Sequence, residues 1–188
     1  MNKTKRSIFE AAIKVISQSG YNGATMDDIA ISAGVAKGTL YYHFKSKEEI
    51  FKYVISEGVN VLIEEMNDVT QQESNPIDKL MALCKSQLRM VYRNKDLFKV
   101  IMSQLWGEEL RQQELREIIK LYIMQIERYL KEAMEAGLLK KGETTFMAYT
   151  FFGALCSGAV YEIINEDQKE IDEIIENITT YILKGIQA

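Results

Sequence analysis

The chain is poor in the residues that most often interrupt helices or carry chemistry. Its 188 residues include one proline, Pro76, one histidine, His43, and two cysteines. A single proline argues against a loop-rich fold and favours long unbroken helices. A lone histidine excludes a His-rich metal centre, and it excludes a His-based catalytic triad away from position 43. Cys84 and Cys156 stand 72 residues apart in apolar helical patterns and read as buried, reduced thiols rather than a disulfide. Long apolar runs are missing too. No stretch of about 18 apolar residues exists, so no transmembrane helix is expected. The opening MNKTKRSIFEAA is charged and then amphipathic, without the apolar centre of a secretion signal, which predicts a cytoplasmic protein. There is no GxGxxG or phosphate-loop pattern, and the acidic pairs Glu48-Glu49 and Glu108-Glu109 are adjacent rather than facing. No catalytic residue, no metal and no cofactor is therefore expected, and the chain does not read as an enzyme.

What is present is a helical chain with an uneven charge. Hydrophobic residues make up 47% and charged residues 27%, values ordinary for a folded domain. The net charge is −4, yet residues 1–54 hold eight Lys or Arg against five Asp or Glu, while the rest holds 15 against 22. A basic head on an acidic body suits a polyanionic partner at one end only. Apolar spacing predicts about nine helices. The first spans Lys3–Ser19 with Ile8, Phe9, Ala12, Ile13 and Ile16 on one face, and Gly20 ends it. Later ones cover about 47–70, 76–92, 96–104, 109–136, 143–165 and 167–185. Ser46 with Glu49 opens the fourth helix, and Pro76, capped by Ser74 or Asn75, opens the fifth.

The most informative stretch is Thr25–Lys47, TMDDIAISAGVAKGTLYYHFKSK. Thr25 and Asp28 form a box-like N-terminal pattern for a helix over Met26–Ala33, and Gly34 supplies the left-handed residue that ends it. A second helix, Lys37–His43, buries Leu40 and leaves Lys37, Thr39, Tyr41, Tyr42 and His43 on other faces. One bracing helix followed by one exposed helix is helix-turn-helix logic. Lys37 suits a phosphate or base edge, Gly38 permits close backbone approach, and Thr39 can meet phosphate or a thymine methyl. Tyr41, Tyr42 and His43 offer further donors. Lys47 and Thr25 stand at the next helix start and the preceding one. Packing of Tyr42 against Phe44 or the first helix is the competing reading, and Asp27 would repel phosphate.

GVAKGTLYYHFKSKEEI following TMDDIAISA resembles the N-terminal signature of the TetR family of bacterial transcriptional regulators, closely from about Arg6 to Val54. The resemblance implies an all-α chain: a three-helix DNA-binding domain over residues 1–46 and a helical bundle over 47–188 for effector binding and dimerisation. It also implies that Thr25, Lys37, Gly38, Thr39, Tyr41, Tyr42, His43 and Lys47 contact double-stranded DNA. A small-molecule effector is then expected in the body, with Phe98, Met102, Trp106, Tyr122, Ile126 and Phe152 as wall candidates. Its chemistry stays open between a cationic lipophile, a neutral drug, a fatty acyl compound and a metabolite. The eighth helix, with TFFGALCSGAV, is small or apolar nearly all round, and the ninth carries an isoleucine stripe. An internal core and a two-fold four-helix interface both fit that pattern, and the resemblance favours the interface. Its candidate residues are Leu155, Gly158, Ala159, Ile171, Ile175 and Ile178. The leading expectation is a homodimeric repressor released from a palindromic operator by an effector. The alternative is a helical protein-interaction module without specific DNA binding, against which the intact Lys37–His43 helix argues.

Overall fold

The computed structural model describes residues 2–164 and 171–186. Among them lie nine α-helices: α1 (Lys3–Gly23), α2 (Met26–Ala33), α3 (Lys37–His43), α4 (Lys47–Gln71), α5 (Pro76–Arg93), α6 (Lys95–Gln104), α7 (Leu110–Glu135), α8 (Thr144–Ile164) and α9 (Ile171–Ile186). The expected start of the ninth helix at Asp167 and the expected end of the eighth at Asn165 lie outside the described residues. Contacts divide the chain into two units that do not follow chain order. The first joins Met1–Asn60 to Lys95–Ile119, and the second joins Val61–Asn94 to Lys120–Ala188. α4 and α7 therefore each contribute residues to both units.

In the first unit the core is Ile8, Ala11, Ala12, Ile29, Ala30, Leu40, Phe44, Ile50 and Val54. Each fully buried Ile or Leu there contributes about 1.5–3 kcal/mol of transfer free energy. Local chemistry sets the boundaries. Gly20 adopts φ 70°, ψ 165°, so the helix breaks there as expected, and Tyr21–Gly23 forms a separate last turn. Thr25 accepts from the Asp28 amide while Asp28 reaches back to the Thr25 amide, which closes a reciprocal capping box. Gly34 sits at φ 64°, ψ 31° and turns the chain into α3. At the start of α4 only half of the anticipated box forms. Ser46 Oγ accepts from the Glu49 amide, but the Glu49 carboxylate takes the Lys45 amide instead. Gly58 lies so near α6 that a Cβ would come 2.9 Å from Leu97 Cδ2.

The second unit packs α5, α8 and α9 with the later parts of α4 and α7. Leu80, Leu83, Cys84, Leu88, Ile126, Leu130, Phe151, Leu155, Ile174 and Ile175 are among its buried residues. Three sets of polar groups inside it are paired, as burial favours, while Thr179 Oγ1 is buried without a hydrogen bond among the described residues. The Tyr122 hydroxyl donates to Gln87 Oε1 at 2.7 Å, Ser86 Oγ donates to Glu65 at 2.7 Å, and the Thr70 and Tyr129 hydroxyls share a hydrogen bond at 2.8 Å. Both cysteines are free thiols. Burial pushes the Cys84 thiol up to about 12 and that of half-buried Cys156 to about 11, so neither is a reactive thiolate near neutrality.

Candidate nucleic-acid interface

The exposed face of α3 is the candidate site. Of its seven residues only Leu40 is buried, and that one side chain seats the helix on the first unit's core. Lys37, Gly38, Thr39, Tyr41 and Tyr42 are all exposed, Tyr42 at 78%. Packing of Tyr42 against Phe44 is thus ruled out: among the described residues its ring stands edge-on to His43, with centroids 5.1 Å apart. A Cβ at Gly38 would meet nothing within 4 Å. No internal contact requires glycine there, and Gly in a helix costs about 1 kcal/mol relative to Ala.

The charged members of the site are already partnered, which changes what they can do. Lys37 Nζ pairs with Asp27 at 2.7 Å and lies 6.0 Å from the Tyr41 ring. The hydrogen bond to Asp27 holds the Lys37 ammonium above its ordinary pKa. Both groups are exposed, so this pair is weak and open to exchange for phosphate. Asp27 thereby serves as a tether for the lysine rather than as a free repelling charge.

Lys47 is placed differently from its expected role. Its ammonium donates to the carbonyls of Tyr21 at 2.6 Å, Ala24 at 2.8 Å and Asn22 at 3.4 Å, and it lies 4.5 Å from the Tyr21 ring centroid. All three of its hydrogens are committed to the turn between α1 and α2. In this conformation Lys47 holds the turn. The Thr25 hydroxyl is likewise occupied, accepting from the Asp28 amide and donating to Asp28 Oδ2 at 2.6 Å. Lys45, which the motif reading left out, is exposed beside the same face with Nζ on the Tyr41 carbonyl at 3.0 Å. Its signal in the sequence was simply its place between the exposed helix and α4.

Beneath the turn sits Tyr21, edge-on to Phe51 at 5.2 Å. Its hydroxyl is buried beside the Glu48 carboxylate. Burial first, and the neighbouring Glu48 carboxylate second, push its pKa up to about 12.

The six wall candidates divide between the units. In the first, Phe98 and Met102 of α6 are half-buried, and Trp106 lies in the following loop with 78% of its surface exposed. In the second, Tyr122 and Ile126 are buried, and half-buried Phe152 stands edge-on to Tyr122 at 6.0 Å.

Within the protomer several of the interface candidates face inward. Leu155 and Ile175 are buried inside the second unit, and Ile178 is half-buried. Gly158 is internal as well, for a Cβ there would lie 2.6 Å from Ile178 Cδ1 and 2.8 Å from Leu88 Cδ2. The side chains of Ala159 and Ile171 are outside the described ones. The exposed face of α8 instead carries Phe146, Tyr149, Gly153, Ser157, Val160 and Ile164 at helical spacing, with Tyr181 of α9 exposed at 73%. Gly153 has open space where its Cβ would be. An apolar groove of about 380 Å³ lies between α8 and α9, lined by Ser157, Tyr161, Ile174, Asn177, Ile178 and Tyr181.

Residues 8–54 match the sequence profile of the bacterial regulatory proteins of the tetR family, and residues 55–185 match that of the YsiA-like protein C-terminal region. The chain belongs to the TetR family. It is a DNA-binding transcriptional regulator rather than an enzyme. A Clostridium perfringens protein named as a candidate regulator of fatty acid metabolism is 48% identical, with 96% of this chain and 98% of that one aligned and a TM-score of 0.90. The fatty acid metabolism regulator protein of Bacillus subtilis strain 168 is 27% identical over 181 residues, covering 95% of this chain and 93% of its own. The fold is shared with the transcriptional regulator FadR from Bacillus subtilis in complex with stearoyl-CoA, at 23% identity and a TM-score of 0.86 over 96% of this chain and 98% of that one. Among the described residues no helix is long and apolar enough to cross a membrane, and no group of His, Cys, Asp and Glu could hold a metal ion.

Proposed function

We propose that this protein is a homodimeric repressor of fatty acid metabolism genes, released from its operator by a long-chain acyl-CoA. The observation that carries the reading is similarity along almost the whole chain, body included, to regulators named for fatty acid metabolism. A helix-turn-helix head alone would say nothing about the effector, because effector choice lies in the body. A solved protein of the same fold holds stearoyl-CoA. Of the effector classes left open by the sequence, the fatty acyl compound is therefore the one adopted.

In this reading residues 1–46 read DNA and residues 47–188 sense the effector and dimerise. Lys37, Gly38, Thr39, Tyr41, Tyr42, His43 and Lys45 face the major groove or its phosphates, while Thr25 and Lys47 fix the helices that aim them. The exposed stripe of α8 with Tyr181 of α9 supports a two-fold contact, in which Gly153 lets two helices approach closely. Two heads then meet half-sites about one helical turn, roughly 34–36 Å, apart or somewhat more. The effector lowers operator affinity only to the extent that it binds the released conformation better.

The test is a gel shift with DNA upstream of the protein's own gene, at two salt concentrations with nonspecific competitor. A discrete shift that weakens steeply with salt, and that disappears with stearoyl-CoA but not with free CoA, is the expected result. A salt-sensitive shift indifferent to every acyl-CoA keeps the regulator and removes the effector. No selected sequence from a random duplex pool would remove specific DNA binding itself.

A further inference from the structure

The first unit contains a second feature that the DNA-reading face does not use. Arg111, one residue into α7, lays its guanidinium over the Tyr21 ring with Cζ 3.8 Å from the centroid. Its side chain is 9% exposed. One terminal nitrogen donates to Gln104 and Glu109, each at 3.2 Å, and the other pairs with Glu109, yet Nε is buried with no partner among the described residues. A buried N–H left unmade is costly, so the guanidinium is held by Glu109 and Gln104 at its terminal nitrogens and by the Tyr21 ring on its face. Tyr21 receives a second cation, Lys47 of α4, on the same ring, and Lys47 fixes the carbonyls of the turn that precedes α2. A Lys52–Glu114 ion pair at 2.9 Å ties the same two helices again. Arg116 and Gln112 strap the loop before α7: Arg116 donates to the Gly107 carbonyl at 2.7 Å and Gln112 to that of Trp106 at 3.3 Å.

We propose that Arg111 is a positioning residue for DNA reading: through the Tyr21 ring and Lys47 it seats the turn from which α2 and α3 project, and effector binding acts by lifting it off. This deepens, and rests on, the acyl-CoA reading above. α4 and α7 are the helices that continue from the first unit into the second, so both cations on the Tyr21 ring, Lys47 and Arg111, belong to helices with residues in the second unit. Cation–ring contacts of this kind are strong only while close and desolvated. A small shift of α7 relative to Tyr21 would therefore release the turn, and no residue that touches DNA need change. Tyr21→Phe keeps the ring that both cations meet, so it should be silent.

The test measures operator affinity of the full-length dimer with and without stearoyl-CoA, for wild type, Arg111→Met and Tyr21→Phe. Unliganded Arg111→Met should bind the operator only as well as stearoyl-CoA-saturated wild type, and stearoyl-CoA should weaken it by less than about twofold further. Its binding of nonspecific DNA and of stearoyl-CoA should match wild type, and Tyr21→Phe should match wild type throughout. A variant that keeps full affinity and full release overturns the proposal. So does one whose affinity falls but is still lowered by the wild-type factor, since Arg111 would then serve stability alone. If wild type ignores stearoyl-CoA, the acyl-CoA reading fails, and a double-mutant cycle on operator affinity decides the contact itself. Tyr21→Leu, Arg111→Met and their combination should then lose equal affinity; additive losses reject the coupling. If Arg111→Met does not fold, Arg111→Lys takes its place. A point charge stacks less well than a guanidinium, so partial loss of affinity and of release is expected, and wild-type behaviour in both rejects the proposal.

Discussion

Helices α3 and α8 are both exposed along one face, but the sequence announces that face in one and conceals it in the other. α3 is short, polar and anchored by Leu40 alone, so every other position is free to be read as surface. α8 is apolar or small on nearly every side, so its composition says it is buried in two directions without saying which residue faces which. The difference is one of phase. A helix with one apolar residue in its second turn has a defined orientation; a helix apolar all round has none until its neighbours are placed. Within the protomer Leu155 and Ile175 are buried and Gly158 faces Ile178 and Leu88, a phase that the composition of α8 does not reveal.

The largest effect that sharpens this contrast comes from Val160→Glu. On the exposed stripe it should leave the protomer folded and raise the dimer dissociation constant more than hundredfold, since an unpaired buried charge costs about 3–5 kcal/mol. Sedimentation equilibrium reads the change, and a dimer of wild-type strength would move the two-fold to another surface. Next, Tyr41→Ala with Tyr42→Ala should reduce operator affinity about a hundredfold, at about 1–3 kcal/mol for each lost contact, without altering helicity or dimerisation. Full binding by that variant would mean that the exposed rings of α3 are not the reading surface.

A glycine pair then divides inside from outside on one helix. Gly158→Leu must push into Ile178 and Leu88, and should lower the stability of the fold by about 1–3 kcal/mol in chemical denaturation. Gly153→Leu meets open space within the protomer. It should leave the fold of the protomer intact and weaken the dimer. Reversal of the two phenotypes would restore the face first read from sequence.

Most of the head was legible because its signals are local. Thr25 and Asp28, Gly34, and the spacing around Leu40 each fix a dihedral or a cap within a few residues, and each feature forms as anticipated. The first helix even breaks at Gly20. What was not legible depends on contacts made over long sequence separations. Lys47 reads as a free cation at a helix start, and only the fold brings its ammonium to carbonyls 23 to 26 residues earlier. The partnership of Arg111 with Tyr21 spans a far greater separation, and no motif encodes it. The placement of α6 and the start of α7 in the same unit as α1 is of the same kind.

The smallest effect separates two neighbouring lysines. Lys45 and Lys47 flank Ser46, and both are cations beside the exposed helix, though the motif marks only Lys47 as a DNA contact. Only Lys45 is free to make one without dismantling the turn, because its ammonium spends a single hydrogen bond on the Tyr41 carbonyl. Neutralising a lysine that contacts phosphate removes one released counterion, so Lys45→Ala should lower the slope of log affinity against log salt by about 0.9. Lys47→Met should leave that slope unchanged. It should instead destabilise the fold by about 1–3 kcal/mol, as charge-assisted hydrogen bonds to three carbonyls are lost at the end of α1. Affinity falls in both variants, so affinity alone would make them look equivalent. The salt slope distinguishes a charge that meets DNA from a charge that holds the residues that do. A reduced slope in Lys47→Met would mean that its ammonium leaves the turn when DNA binds.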